Sequence, residues 1–244
     1  MSDSREGILS RIRSGRAGQP ESPAAPPIAP GPAGVPETTD LVDRFVREAA
    51  GVGAVVHRAT RDGAVDLVGR LLVDAGVRRL VSWEPDDLPI PEALDAAVDR
   101  GIQLVEPPLP DGAEPLDRDW TTMAAADAGL TGAAGGLADT GTVILRSGLG
   151  RARLAWLLPP LHLVLLYAPF IYPTLPAFIS ARGELVGRSS HVALVTGPSR
   201  TADIEQTLTT GVHGPKVVHI VLVERGERER EPVVESVAGD GVDG

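Results

Sequence analysis

The sequence predicts an α/β domain built on a mainly parallel sheet with helices on both faces. Three observations carry this. Strand-like and helix-like segments alternate from residue 53 to residue 105, the pattern of βαβ units. The strongest strand candidates, Leu161 to Tyr167 and Val217 to Val223, are almost continuously apolar rather than alternating, as strands buried on both faces must be. The chain is 43% hydrophobic but only 3% aromatic, so its core is Val, Leu, Ile and Ala, the residues such sheets pack with.

Taken in order, Ser4 to Ser14 places Ile8, Leu9 and Ile12 among charges and reads as a short amphipathic helix within residues 1–14. Residues 15–38 are rich in Pro, Gly and Ala and predict a flexible linker, because they cannot bury enough surface to order themselves. The α/β domain is expected over residues 39–224. Leu41, Val42, Phe45, Val46 and Ala49 mark a helix face, and Gly53 to His57 a strand. Asp62 is placed to cap a helix carrying Val65, Val68 and Leu72, ended by Gly76. Val77 to Trp83 is the next strand. Pro91 opens a helix through Leu94 and Val98, ended by Gly101, and Ile102 to Val105 is a strand.

Trp120 to Ala128 reads as helical. Gly129 to Leu137 has neither the Gly-Lys-Ser/Thr of a phosphate loop nor the GxGxxG spacing, so its glycines imply close packing or a loop open to a ligand. Val143 to Leu145 is a strand, Leu154 to Leu158 a short helix, and Pro173 to Ala181 a helix started by proline. His191 to Val195 is a strand ended by Gly197-Pro198. Ser199 or Thr201 can then cap a helix with Ile204 and Leu208 on its apolar side. Residues 225–244 alternate Arg and Glu before a Gly- and Asp-rich end, which predicts a disordered tail.

Composition excludes several function classes. Net charge is −10, and no basic block exceeds two residues, which argues against nucleic acid and anionic membranes as partners. With no cysteine, the chain can form no disulfide, thiolate-held cluster or Cys-type zinc site. No two histidines have metal-ligand spacing, so no metal and no cofactor are expected. The opening residues lack the apolar core of a signal peptide, and Leu161 to Ile171 is about half the length of a membrane span. A cytoplasmic protein without a membrane span is the expectation.

Polar chemistry is confined to four segments that meet strand ends: Asp139 to Thr142, Ser147 to Arg151, Thr196 to Glu205, and His213 to Pro215. Asp139 beside Thr140, Gly141 and Thr142 offers a carboxylate among hydroxyl donors, suited to a general base or a nucleophile; an Asx or Ser/Thr turn is the alternative. Gly197, Ser199, Arg200 and Thr201 would hold an anion at a helix N-terminus, or simply form a capped helix with a solvated arginine. His213, between glycines, is a candidate acid, base or ligand donor. His162 and His191 sit at strand starts, where structural histidines are common.

The segments ADTGT (138–142), LLPPLH (157–162), TGPSRTADIEQTL (196–208) and GVHGPKVVHIVLV (211–223), with REGILSRIR (5–13), resemble the LUD domain of the lactate utilisation protein C family. The resemblance implies a fold like that of ribose-5-phosphate isomerase, glucosamine-6-phosphate deaminase and CoA transferases. It also implies a non-redox role in bacterial growth on L-lactate, beside iron–sulfur lactate utilisation proteins. Many members of that family carry Glu where this chain has Asp139. A stand-alone enzyme acting on a small anionic metabolite is the alternative.

Overall fold

The computed structural model describes residues 38–105, 123–202, 208–210 and 214–224, together with Gly7, Ser10 and Arg11; at 38–39, 200–202 and 208–210 the description is of backbone alone. The chain divides into two compact units, Met1–Pro30 and Gly31–Gly244. In the first, the three described residues are helical, and Arg11 Nε donates to the Gly7 carbonyl at 3.4 Å. The expected linker, apart from Thr38, which is helical, and the expected tail lie outside the described residues.

The second unit opens with helix α1 (Thr38–Gly51). Leu41, Val42, Phe45 and Ala49 are its buried positions, the face its 3.6-residue periodicity required. Strand β1 (Val55–Thr60) runs into α2 (Arg61–Asp74). Thr60 rather than Asp62 caps that helix, its Oγ1 accepting from the Gly63 N–H at 3.4 Å. The hydroxyl lies one residue before the helix, where a cap must stand, whereas Asp62 is already inside it. Next come β2 (Arg79–Ser82), α3 (Glu92–Val98) and β3 (Gln103–Val105). After the undescribed stretch follow β4 (Ala128–Gly132), β5 (Gly135–Leu137) and β6 (Thr142–Ser147). A 3₁₀ turn at Arg153–Trp156 leads to β7 (Leu161–Tyr167). Then come β8 (Ile171–Tyr172), α4 (Leu175–Gly187) and β9 (His191–Val195). Thr174, not Pro173, caps α4, its Oγ1 accepting from Ala177 N–H at 3.4 Å. The chain closes with β10 (Arg200–Ala202), β11 (Leu208–Thr210) and β12 (Val217–Glu224).

Six strands form one sheet in the order β1-β12-β7-β4-β2-β3, and every neighbouring pair is parallel. The α/β class with a mainly parallel sheet is thus as the sequence predicts. The β1-α2-β2 and β2-α3-β3 crossovers step the same way across the sheet. Right-handed connections then place α2 and α3 on one face, and the two helices pack on each other. Central β7 and β12 are buried almost throughout.

A second sheet, in the order β8-β5-β6-β9, was not foreseen. Here β6 is antiparallel to both β5 and β9. It packs on the larger sheet where Gly136 leaves room for Leu166 and Phe45: a Cβ on Gly136 would come within 2.9 Å of both. Leu137, Ile144 and Phe178 of α4 make a small core of their own. The glycine-rich run 129–137 therefore serves close packing. A Cβ on Gly129 would overlap the Ala155 carbonyl oxygen, and one on Gly132 would lie 2.9 Å from that of Asp87.

The helix expected after Pro198 is not formed over residues 200–202. Those residues are β10 and pair antiparallel with β11, Arg200 opposite Thr210 and Thr201 opposite Thr209. Pairing of β-branched threonines outweighs the local capping pattern.

Candidate functional site

The site is built on the hairpin between β5 and β6. Gly141 turns it, with φ +64° and its N–H bonded to the Leu137 carbonyl at 2.9 Å. Only glycine fits, because a Cβ there would overlap the backbone of Ala49 in α1. Thr142, 3% exposed, then starts β6. Since β6 and β9 are antiparallel with Val143 opposite Val195, the next pair outward brings Thr142 to Thr196. Gly197 follows with φ +74°, and a Cβ on it would stand 2.6 Å from the Val52 carbonyl. Both turns thus press on the end of α1.

The side chains form a chain of hydroxyls. Thr140 Oγ1 donates to Asp139 Oδ1 at 3.3 Å. It lies 2.8 Å from Thr142 Oγ1, which lies 2.7 Å from Thr196 Oγ1. Each hydroxyl has one proton to give. With Thr140 committed to the carboxylate, Thr142 donates to Thr140 and Thr196 to Thr142. All three dipoles point toward Asp139, and Thr196 Oγ1 keeps only lone pairs for a further partner. Such a line polarises its members cooperatively. Among the described residues no cation pairs with Asp139, so its charge is held by a hydroxyl alone.

One more predicted position, Ser199, joins this corner. Ser199 N–H donates to the Pro215 carbonyl at 2.9 Å. A Cβ on Gly214 would meet the Ser199 side chain at 3.1 Å. Asp139, Thr140, Gly141, Thr142, Gly197 and Ser199 are therefore gathered on the end of α1 and the approach to β12. The backbone of Arg200 and Thr201 continues from Ser199 into β10; their side chains, and His213 entirely, lie outside the described residues. The corner stands at the amino edge of the six-stranded sheet, because Val52 leads into β1 and Pro215 into β12. The antiparallel run of β6 and β9 brings the segment before β6 and the segment after β9 to this one edge. Ser147 to Arg151, at the far end of β6, faces the other edge.

Thr196 was not among the predicted site residues. Its signal was a repeated dipeptide: Thr140-Gly141 and Thr196-Gly197 each put a hydroxyl beside a positive-φ glycine.

The four described histidines make packing and hydrogen-bond contacts away from this corner. His162 is fully buried, its Nε2 2.9 Å from Thr131 Oγ1, and burial pushes its pKa down to about 3. His57 Nε2 and His219 Nδ1 lie 3.1 Å apart with stacked rings. Burial lowers the pKa of both, and the neighbouring His57 charge lowers that of His219 further. His191 stacks on Trp156. Among the described residues no group of three or more His, Asp or Glu is placed to hold a metal ion, and no helix is long and apolar enough to cross a membrane.

A parallel α/β sheet with a smaller mixed sheet folded onto it, and a polar corner where the two meet α1, defines the class of protein. The family model of the LUD domain matches residues 42–223, and the chain belongs to that family. It is similar to the lactate utilization protein C of Deinococcus radiodurans, 32% identical over 203 residues, covering 82% of this chain and 87% of that one. It is also similar to the lactate utilization protein C of Geobacillus sp. (strain WCH70), 37% identical over 107 residues, 41% of this chain and 44% of the relative. That match spans less than half of the relative's length. A solved structure of a DUF162 family protein from Deinococcus radiodurans superposes with a TM-score of 0.57 at 19% identity, over 77% of this chain and 99% of that one; it supports the fold.

Proposed function

We propose that this protein acts in the utilisation of L-lactate as a non-redox component, working beside iron–sulfur proteins that carry the electrons. The observation that carries the reading is the similarity to a lactate utilization protein C over 82% of the chain. Chemistry supports the division of labour. Converting lactate to pyruvate releases two electrons, and a chain with no cysteine has no thiolates with which to hold a cluster. In this reading the corner around Asp139 is the working site. The Asp139 carboxylate is the base, backed by Thr140 and Thr142, with Gly141 and Gly197 shaping the turns. Ser199, Arg200 and Thr201 hold the anion, and His213 is a second acid or base. The working domain is residues 39–224, with residues 1–14 forming a tethered helix.

Deleting the gene from its host should abolish growth on L-lactate and leave growth on pyruvate intact. Normal growth of the deletion strain on L-lactate would overturn the proposal. Tagged protein drawn from lactate-grown cells should bring with it proteins showing iron–sulfur absorption.

A further inference from the structure

A cavity of about 190 Å³ opens at the carboxyl edge of the large sheet. Trp83, Ala133 and Phe170 on its wall follow β2, β4 and β7 respectively. The ends of parallel strands are where α/β sheets take ligands. Gly132 lets the 85–89 loop close over it, and Gly150 makes room for the Asp87 carboxylate, which a Cβ would overlap.

Its lining carries two carboxylates, Asp86 and Asp87, and two guanidiniums, Arg146 and Arg151, but they are not all paired. Asp87 is paired with Arg151, and each side chain is about four-fifths buried. Glu184 lies 3.4 Å from Arg182. Those two carboxylates are the ones that act on Arg146, and both are engaged elsewhere. Arg146 lines the cavity half-buried, and among the described residues its side chain makes no hydrogen bond and no ion pair. Burial and then the Arg151 charge disfavour its cationic form. Arg151 Nε is also buried without a hydrogen-bond partner. Asp86 stands exposed at the rim. One unpaired fork-shaped cation, walled by Trp83, Leu88 and Phe170, suits one carboxylate with a short alkyl group. The volume equals roughly six waters, so the ligand has only a handful of heavy atoms.

We propose that this cavity binds a small monocarboxylate, its carboxylate on Arg146 and its alkyl end against Trp83 and Phe170. The assignment does not depend on the lactate-utilisation reading and concerns the opposite edge of the sheet from Asp139. The test is calorimetric titration of the purified chain with sodium acetate, propionate and L-lactate at fixed ionic strength, with inorganic phosphate as a parallel arm. At least one monocarboxylate should bind more tightly than phosphate. Arg146→Gln should raise its Kd by about tenfold to a hundredfold, the scale of a lost hydrogen bond to a charge, and Arg146→Lys should recover part of the loss. If Arg146→Gln does not fold, Arg146→Met, which keeps the stem's packing, carries the same expectation. No binding by the wild-type chain, a preference for phosphate, or unchanged affinity in the folded variant would each overturn the proposal. Carboxylate binding with normal growth of the deletion strain on L-lactate would sink the function above and leave this site standing.

Discussion

Thr142 Oγ1 and Thr196 Oγ1 lie 2.7 Å apart although 54 residues separate them in the chain. The bond ties the start of β6 to the end of β9 and is the middle of the line that ends on Asp139. Thr142→Val keeps the shape and removes the hydroxyl. It orphans the Thr196 donor and takes a donor from Thr140, so it should cost about 1–3 kcal/mol. Urea unfolding measures it; a loss under about 0.5 kcal/mol would mean the line contributes nothing to stability.

Asp139→Asn should behave differently. The side chain is only part-buried and makes one bond, to a neutral hydroxyl. Stability should therefore change by no more than about 0.5 kcal/mol. If Asp139 is the base, the variant will fail to restore growth on L-lactate to the deletion strain. Full rescue would remove Asp139 from the site.

Gly129 and Gly187 make a matched pair. At Gly129 a methyl would overlap the Ala155 carbonyl, backbone that cannot step aside; at Gly187 nothing lies within 4 Å. Gly129→Ala should cost about 3 kcal/mol or more, or prevent folding. Gly187→Ala, at the end of α4, should be neutral or gain up to about 1 kcal/mol. Equal melting temperatures for the two variants would contradict the packing described for β4.

His162 sets a pH dependence. Its folded pKa of about 3 lies below the ordinary 6.5, so the unfolded chain binds the proton more readily. Stability is complete above about pH 6.5 and is lost as pH falls toward 3, at up to about 1.4 kcal/mol per pH unit. His57 and His219 add in the same direction. His162→Gln should flatten the fall between pH 6 and pH 4 in denaturant titrations. An unchanged slope would assign the dependence to other groups.

The sequence made legible what depends on runs of one chain segment. Leu161 to Tyr167 was read as a buried strand and is β7 residue for residue, because a continuous apolar run of that length has few other solutions. Helix α2 was legible from Val68 and Leu72 against a terminal Gly76. What depends on distant pairing was not. Ser199, Asp203 and Glu205 look like a helix start, yet residues 200–202 extend to pair with residues 208–210. The direction of β6 could not be read from Val143 to Leu145, and that direction decides which edge receives Asp139. Arg146 was passed over because its meaning lies in carboxylates already taken by Arg151 and Arg182.

The seat of β12 between β1 and β7 has a consequence for how the chain acquires its fold. His57 and His219 touch across 162 residues, so β1 acquires its neighbour β12 late. While the chain is being made, β1 and α1 can form locally but have no slot to occupy. The β7 edge likewise stays open until β12 arrives. Closing so wide a loop is entropically costly and slow. The partly made domain therefore exposes two strand edges at once, the apolar β7 and the mixed β1, a state that invites pairing with another nascent chain. Helpers that shield such edges during synthesis should matter more for this protein than its modest size suggests.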